Sequence, residues 1–221
     1  MTTIAATDRP DTHEMVVVHR IFRRESGLLP AMVRAVAPGD TARAALVAES
    51  VRDYLDGLHN HHTGEDELIW PLLLARVDLE QELVLRMEAQ HEMVAAALAR
   101  VGELLPAWQA SADPASRDAL ADALAAHREP LLAHLDEEEA RILPVIAEHM
   151  TVPEWRALGE RARAHTPKDK QFMMLGALLE EATPAETARL LAPIPAPIRL
   201  LWRLVGRRAY VRRMAELRAG L

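Results

Sequence analysis

The chain contains no cysteine. That removes disulfides, thiolate metal ligands and cysteine nucleophiles together, and leaves imidazoles and carboxylates as the only strong ligands. Glycine is scarce, at nine of 221 residues, and the aromatics are four Trp, two Tyr and two Phe. With Ala, Leu, Arg and Glu abundant, this balance favours helix over sheet. No uninterrupted apolar run approaches the roughly 18 residues of a spanning helix, and no apolar segment follows basic residues at the N-terminus. The expectation is a soluble, cytoplasmic protein. Positive charge is also in deficit: the net charge is −7, which argues against nucleic acid as the partner. Half the residues are apolar and 27% are charged, a globular composition suited to one large domain or one domain with an appendage.

Against this background one motif recurs. Residues His61–Pro71 read HHTGEDELIWP, and residues His134–Pro144 read HLDEEEARILP. In each, a His is followed four residues on by a Glu, then by a second acid, and six residues after the Glu by a Pro. His61 corresponds to His134, Glu65 to Glu138, Asp66 to Glu139 and Pro71 to Pro144. Positions i and i+4 share one helical face, so each His–Glu pair can reach a common point. An imidazole beside a carboxylate suits iron, manganese or zinc, and the pair is costly to bury without a cation. A single copy reads as a surface His–Glu pair; two copies at matched positions do not.

Taken in order, residues 1–10 read as a loose leader. A helix is expected over 11–36, with Val16, His19, Ser26, Leu29 and Val33 on its stripe and bends at Gly27 and Pro30. Asp40 is the expected N-cap of a second helix over 41–76, whose stripe of Val47, Val51, Tyr54, Leu58, His61, Glu65, Leu68 and Leu72 carries the first motif. His59 points away from that stripe, and His62 stands at its edge. A capping-box pattern at Asp78 and Gln81 predicts a third helix over 79–105 with Met87, His91, Leu98 and Val101 inward. Asp113 and Pro114 open a fourth, to about residue 148, with Leu120, Leu124, His127, Leu131, His134, Glu138, Ile142 and Val145 inward and a kink at Pro130. Short connections make these four helices an antiparallel bundle. His19 precedes His61 by 42 residues and His91 precedes His134 by 43. Each half is thus a helix with one inward His, followed by a helix with HxxxE. Two such hairpins related by a pseudo-two-fold axis bring His19, His61, Glu65, His91, His134 and Glu138 together.

Residues 151–221 follow as a helical extension, expected to pack on the bundle. Helices are expected over 152–164, 167–182 and 184–192, then a basic helix over 197–219. Residues 197–221 hold seven Arg and one Glu, a local charge of +6. Ile198, Leu201, Trp202 and Val205 are placed on one side of it. This helix is expected to pack against the chain's own acidic bundle; docking on a membrane surface or a protein partner is the alternative.

The residues of the paired motif resemble the hemerythrin-like, HHE cation-binding family over roughly 11–150. The resemblance implies an all-α fold, an up-down four-helix bundle of hemerythrin type, here with additional C-terminal helices. It also implies two bridged iron ions held by His19, His61, Glu65, His91, His134 and Glu138. Ferritin-like bundles differ in using Glu-x-x-His. Oxygen-carrying members have His-xxx-His on the third helix, where this chain has Met87 four residues before His91 and Ala95 four residues after. They also end the fourth-helix motif with an Asp five residues after its His, where this chain has Glu139. The chain therefore resembles six-ligand variants, with His62 a candidate seventh ligand.

The expected partner of such a centre is oxygen, nitric oxide or hydrogen peroxide, in redox or oxygen sensing or a stress response. A catalase-like peroxide-scavenging enzyme and an iron-sensing scaffold are the alternatives. Tyr54 and His127, each seven residues before a motif His, are the candidate catalytic proton donors.

Overall fold

Helix starts in this chain are fixed by short polar side chains. In the computed structural model, which describes residues 9–78 and 80–221, Asp40 accepts a hydrogen bond from the Arg43 amide, and Asp113 accepts from the amides of Ala115 and Ser116. These caps satisfy amides that have no partner within their helices. They open α2 (Thr41–Leu68) and α5 (Pro114–Ala126) as expected. The leader over 1–10 lies, apart from Arg9 and Pro10, outside the described residues, as does Leu79. The third helix departs from expectation at both ends. It begins at Gln81 with Glu80, not Asp78, at the capping position, and runs through Pro106 to Ser111.

The described residues are all-helical. The first arm is α1 (His13–Arg34), continuous through Pro30, and the second is α2 followed by α3 (Trp70–Leu74). The third is α4 (Gln81–Ser111). The fourth is α5, α6 (Arg128–Glu137), a π turn (Glu138–Ile142) and α7 (Leu143–His149). α1 packs on α2, α5 and α6, and α4 packs on the same three helices, so the arms close an up-down ring of four.

Prolines shape two of the arms. Pro71 lacks the amide that would continue α2, and the helix breaks at Ile69. The stripe shifts accordingly: Ile69, Trp70 and Leu73 are buried, whereas Leu68 and Leu72, the expected core positions, are only partly so. Pro144 acts differently. Its ring cannot fit over the residue-140 carbonyl, and the chain widens instead, with the Leu143 amide donating to the Glu138 carbonyl five residues back. The wider turn absorbs one residue, so Ile146 rather than the expected Val145 is buried. Met15, Trp70, Leu73, Met87, Ile142 and Ile146 belong to the apolar core at this end of the bundle.

The compact first unit extends to His165, beyond the boundary at 150 expected from the sequence, and the second spans Thr166–Leu221. The added helix, α8 (Val152–His165), lies on α2. Gly64, inside the first motif, permits the approach: a Cβ there would come within 2.8 Å of Leu158 Cδ1. Arg76 ties down the start of α8 by donating to Glu154 Oε1 and Oε2 and to the His149 carbonyl, while Glu154 also caps the Thr151 amide.

The second unit contains α9 (Gln171–Leu179), α10 (Pro184–Leu191), α11 (Ala196–Leu201), a π turn (Trp202–Gly206) and α12 (Arg207–Leu217). Thr183 and Glu186 form the capping box of α10. The inner face of the π turn and α12 is Trp202, Gly206, Tyr210 and Leu217, with Trp202 against Phe172 and the Tyr210 ring over Gly176. This corrects the expected stripe: Ile198, Leu201 and Val205 are exposed, and in the π turn Gly206 takes the inward place expected for Val205. Among the described residues no helix is long and apolar enough to cross a membrane.

Two substitutions test this packing. Arg76, with the Thr151 cap, holds the Glu154 carboxyl down to about 2 from an ordinary 4.5. A depressed carboxylate stabilises the fold above its unfolded value and loses that contribution as pH falls through the folded one. Glu154→Gln should therefore cost about 1 kcal/mol near neutrality, the size of a cap and a half-exposed ion pair. In urea titrations the gap from the unsubstituted protein should close as pH falls below 4.5. In the second unit, Gly176→Ala drives a methyl group into the Tyr210 ring. The overlap should cost about 1–3 kcal/mol, more than the roughly 1 kcal/mol of helix propensity gained, and should be read as faster tryptic cleavage at the arginines of 199–218.

Candidate metal centre

The bundle delivers its ligand-type side chains from four directions. α1 carries His19, α2 carries His61, His62 and Glu65, α4 carries His91, and the fourth arm carries His134 and Glu138. His19, Glu65, His134 and Glu138 are fully buried, with His62 and His91 nearly so. The six residues read from the sequence come together, and His62 turns inward to join them. His59 stays exposed.

They form two groups. His19, His61, Glu65 and Glu138 make one; His62, Glu65, His91 and His134 make the other; within each, the potential ligand atoms all lie within 4.8 Å of one another. Glu65 belongs to both. Its Oε1 is 3.4 Å from His61 Nε2 and its Oε2 is 3.4 Å from His91 Nε2. Glu138 Oε2 is 3.3 Å from His19 Nε2 and 3.5 Å from His134 Nε2. His19 Nε2 and His61 Nε2 are 3.2 Å apart. Two ligands each ~2.1 Å from one cation, at octahedral to tetrahedral angles, stand ~3.0–3.4 Å apart. These spacings fit ligands that share an ion.

The outer nitrogen of three rings is already committed. His19 Nδ1 lies 2.9 Å from Glu139 Oε1, which also accepts from Arg23. His91 Nδ1 lies 2.7 Å from Asp66 Oδ1, which also accepts from Trp70 Nε1. His134 Nδ1 lies 3.1 Å from Gln90 Oε1, whose Nε2 donates to Glu137. Each partner is an acceptor, so each Nδ1 donates outward and leaves Nε2 facing the interior, where it can ligate a cation once it carries no proton. The arrangement crosses between halves: the second motif's Glu139 orients the first half's His19, and the first motif's Asp66 orients the second half's His91. The repeat aligns Asp66 with Glu139 and is the sequence signal for this shared role; Gln90 and Arg23 carry no such signal.

The inward atoms have nothing else to bind. Nε2 of His62, His91 and His134 and both carboxylate oxygens of Glu65 and Glu138 are buried without a hydrogen bond. One such group typically costs about 1–3 kcal/mol, and these all face one interior. Charge is frustrated too. Burial and the neighbouring Glu138 push the Glu65 carboxyl up to about 8. Burial opposes charge on Glu138, but His19 outweighs it and holds that carboxyl low. Burial likewise opposes charge on His19 and His91, yet the carboxylates beside each lift both to about 9. Burial takes His134 down to about 4 and drives His61 and His62 well below their ordinary value, with the adjacent imidazoles adding to the effect. A multivalent cation relieves every one of these conflicts, so the donor set fits a metal.

Tyr54 and His127 sit elsewhere in the bundle. The Tyr54 hydroxyl and His127 Nε2 are 2.7 Å apart, and His127 Nδ1 donates to the Leu124 carbonyl at 2.6 Å. The Tyr54 hydroxyl therefore donates to Nε2, and burial raises its pKa and lowers that of His127. The two satisfy one another, and neither belongs to a ligand group.

Fold and site together define a helical bundle that gathers cation ligands in its interior. A model of the hemerythrin HHE cation binding domain matches residues 11–146, more than half of the chain, and the chain belongs to that family. Neither the curated proteins nor the solved structures searched provide a match.

If a cation satisfies these atoms, it stabilises the native state by RT ln(1 + [L]/Kd), about 2.7 kcal/mol at a hundredfold excess over Kd. Chelation should accordingly lower the melting temperature by several degrees; superimposable curves with and without chelator would contradict the assignment. Asp66→Ala removes the acceptor that orients His91 and leaves every inward ligand in place. It should weaken cation affinity about 10–100-fold, measured by competition with a chromogenic chelator.

Proposed function

We propose that this protein holds two iron ions, one in each ligand group, and meets a small diatomic or peroxide there: oxygen, nitric oxide or hydrogen peroxide. The role is redox or oxygen sensing, or a response to such stress, in the cytoplasm. The observation that carries the reading is Glu65, whose two carboxylate oxygens face different ligand groups 3.4 Å from His61 and His91. A carboxylate so placed is suited to bridging two cations. A pair of irons supplies a reversible store of electrons with coordination positions that a small ligand can take.

The two groups are not equivalent, and this supports binding over simple storage. Under the internal repeat His61 matches His134, so His62 matches Leu135, which is fully buried. One group therefore has three imidazoles and the other two. The poorer group, His19 and His61 with Glu65 and Glu138, is the one expected to leave room for an exogenous ligand. A sensing role is preferred to peroxide turnover because the available buried hydroxyl–imidazole pair, Tyr54 and His127, is closed on itself and offers no proton to the centre.

Reconstitution with ferrous iron under anaerobic conditions should give two irons per chain. Glu65→Ala should lose both, and His62→Ala should retain about one, with helical circular dichroism unchanged. Exposure of the loaded protein to oxygen, nitric oxide or peroxide should then give a stable change in the visible spectrum. Continuous peroxide turnover would move the reading to a catalase-like enzyme, and no response to any of the three would defeat it.

A further inference from the structure

One side of the ligand cluster adjoins a groove in the first unit. A half-open cavity of about 590 Å³ runs between α2 and α4, and its floor includes His62 and His91. Both rings are buried, and the Nε2 of each has no hydrogen-bond partner. Asp56, Asp66, Glu88 and Glu92 also line it, and no Lys or Arg does. Asp66 is spoken for by His91 and Trp70. Asp56, Glu88 and Glu92 have no ion-pair partner among the described residues. Elsewhere on this unit acids are commonly neutralised, as Glu67 is by Arg161, Asp136 by Arg23 and Asp122 by Arg34. A row of uncompensated carboxylates leading to unpartnered imidazole nitrogens is poorly suited to an anion. It is suited to a cation travelling inward.

We propose that the α2–α4 groove is the route by which divalent cations enter and leave the centre. Asp56, Glu88 and Glu92 draw the ion in from solvent, and His62 and His91 take it from the groove floor. The first position filled is the one made by His62, Glu65, His91 and His134. Glu65, common to both groups, is the link to the inner position at His19 and His61. The proposal rests on the metal-centre reading and adds to it a path, an order of filling and residues outside the ligand set. Carboxylates flanking a low-dielectric cleft raise the local cation concentration and the association rate, an effect that salt screens.

The test uses the full chain, stripped of metal, mixed with Co2+ in a stopped-flow instrument, with uptake read from the visible absorption of the bound ion. In the unsubstituted protein uptake should slow as ionic strength rises from 10 to ~200 mM. The triple variant Asp56→Asn/Glu88→Gln/Glu92→Gln should load about tenfold more slowly at low salt and lose most of the salt dependence, while the final Co2+ content stays the same. Ala95→Trp, an exposed residue in the groove wall, should slow both uptake and chelator-driven release by a common factor, leaving the equilibrium constant unchanged. Uptake that is insensitive to salt and to both variants would overturn the route and leave the metal centre standing. Failure of the unsubstituted protein to bind Co2+ at equilibrium would overturn the metal centre itself.

Discussion

The interior of this bundle contains seven buried nitrogen and oxygen atoms of His62, Glu65, His91, His134 and Glu138 that make no hydrogen bond. Buried polar atoms are almost always paired, because leaving water without a replacement partner is costly. Here the cost is concentrated at one level of a largely apolar helical core. A cation coordinated by these atoms turns the largest internal liability of the fold into a cross-link among four helices. Much of the surrounding structure can be understood as support for that substitution.

The support is local and physical. Asp66, Glu139 and Gln90 accept from the Nδ1 of three rings and hold each Nε2 turned inward. Two of these acceptors come from the opposite half of the repeat, so the halves cannot slide past one another without disturbing both His19 and His91. The π turn at Glu138 widens the fourth arm to accommodate Pro144, and it begins at the residue that faces His19 and His134. Pro71 ends α2 within one turn of Glu65, and the freed chain places Trp70 where its ring nitrogen steadies Asp66. Both motif prolines thus set backbone geometry next to a ligand, by two different distortions of a helix.

The four-armed helical layout follows from periodicity, the polar caps at Asp40 and Asp113, and a composition poor in Gly and aromatics and rich in helix formers. The six ligand candidates followed from a motif that occurs twice with a core His upstream of each copy. Those features are short-range in sequence: spacing within a helix fixes which residues share a face, whatever the helix packs on. The hemerythrin HHE family model matches residues 11–146, the stretch that contains all six ligand candidates.

Other features depended on where faces meet. His62 stood at the edge of its stripe, and only the packing of α4 and the fourth arm decided that it turns inward. The stacked His62–His91 rings, 4.0 Å between centroids, have no trace in local sequence. Val145 and Val205 were assigned to core stripes that a wider turn displaces, since one extra residue in a turn rotates everything beyond it. Tyr54 and His127 looked like neighbours of the metal from their spacing, and tertiary packing bonded them to each other instead. The sequence by itself determined the four helical arms, the face that carries the ligands and the ligand types, because these follow from i, i+4 geometry and side-chain chemistry. The tertiary structure alone decided which nitrogen of each ring faces inward, which acids orient the rings and which side of the cluster opens to a groove, because each depends on side chains brought together from distant parts of the chain.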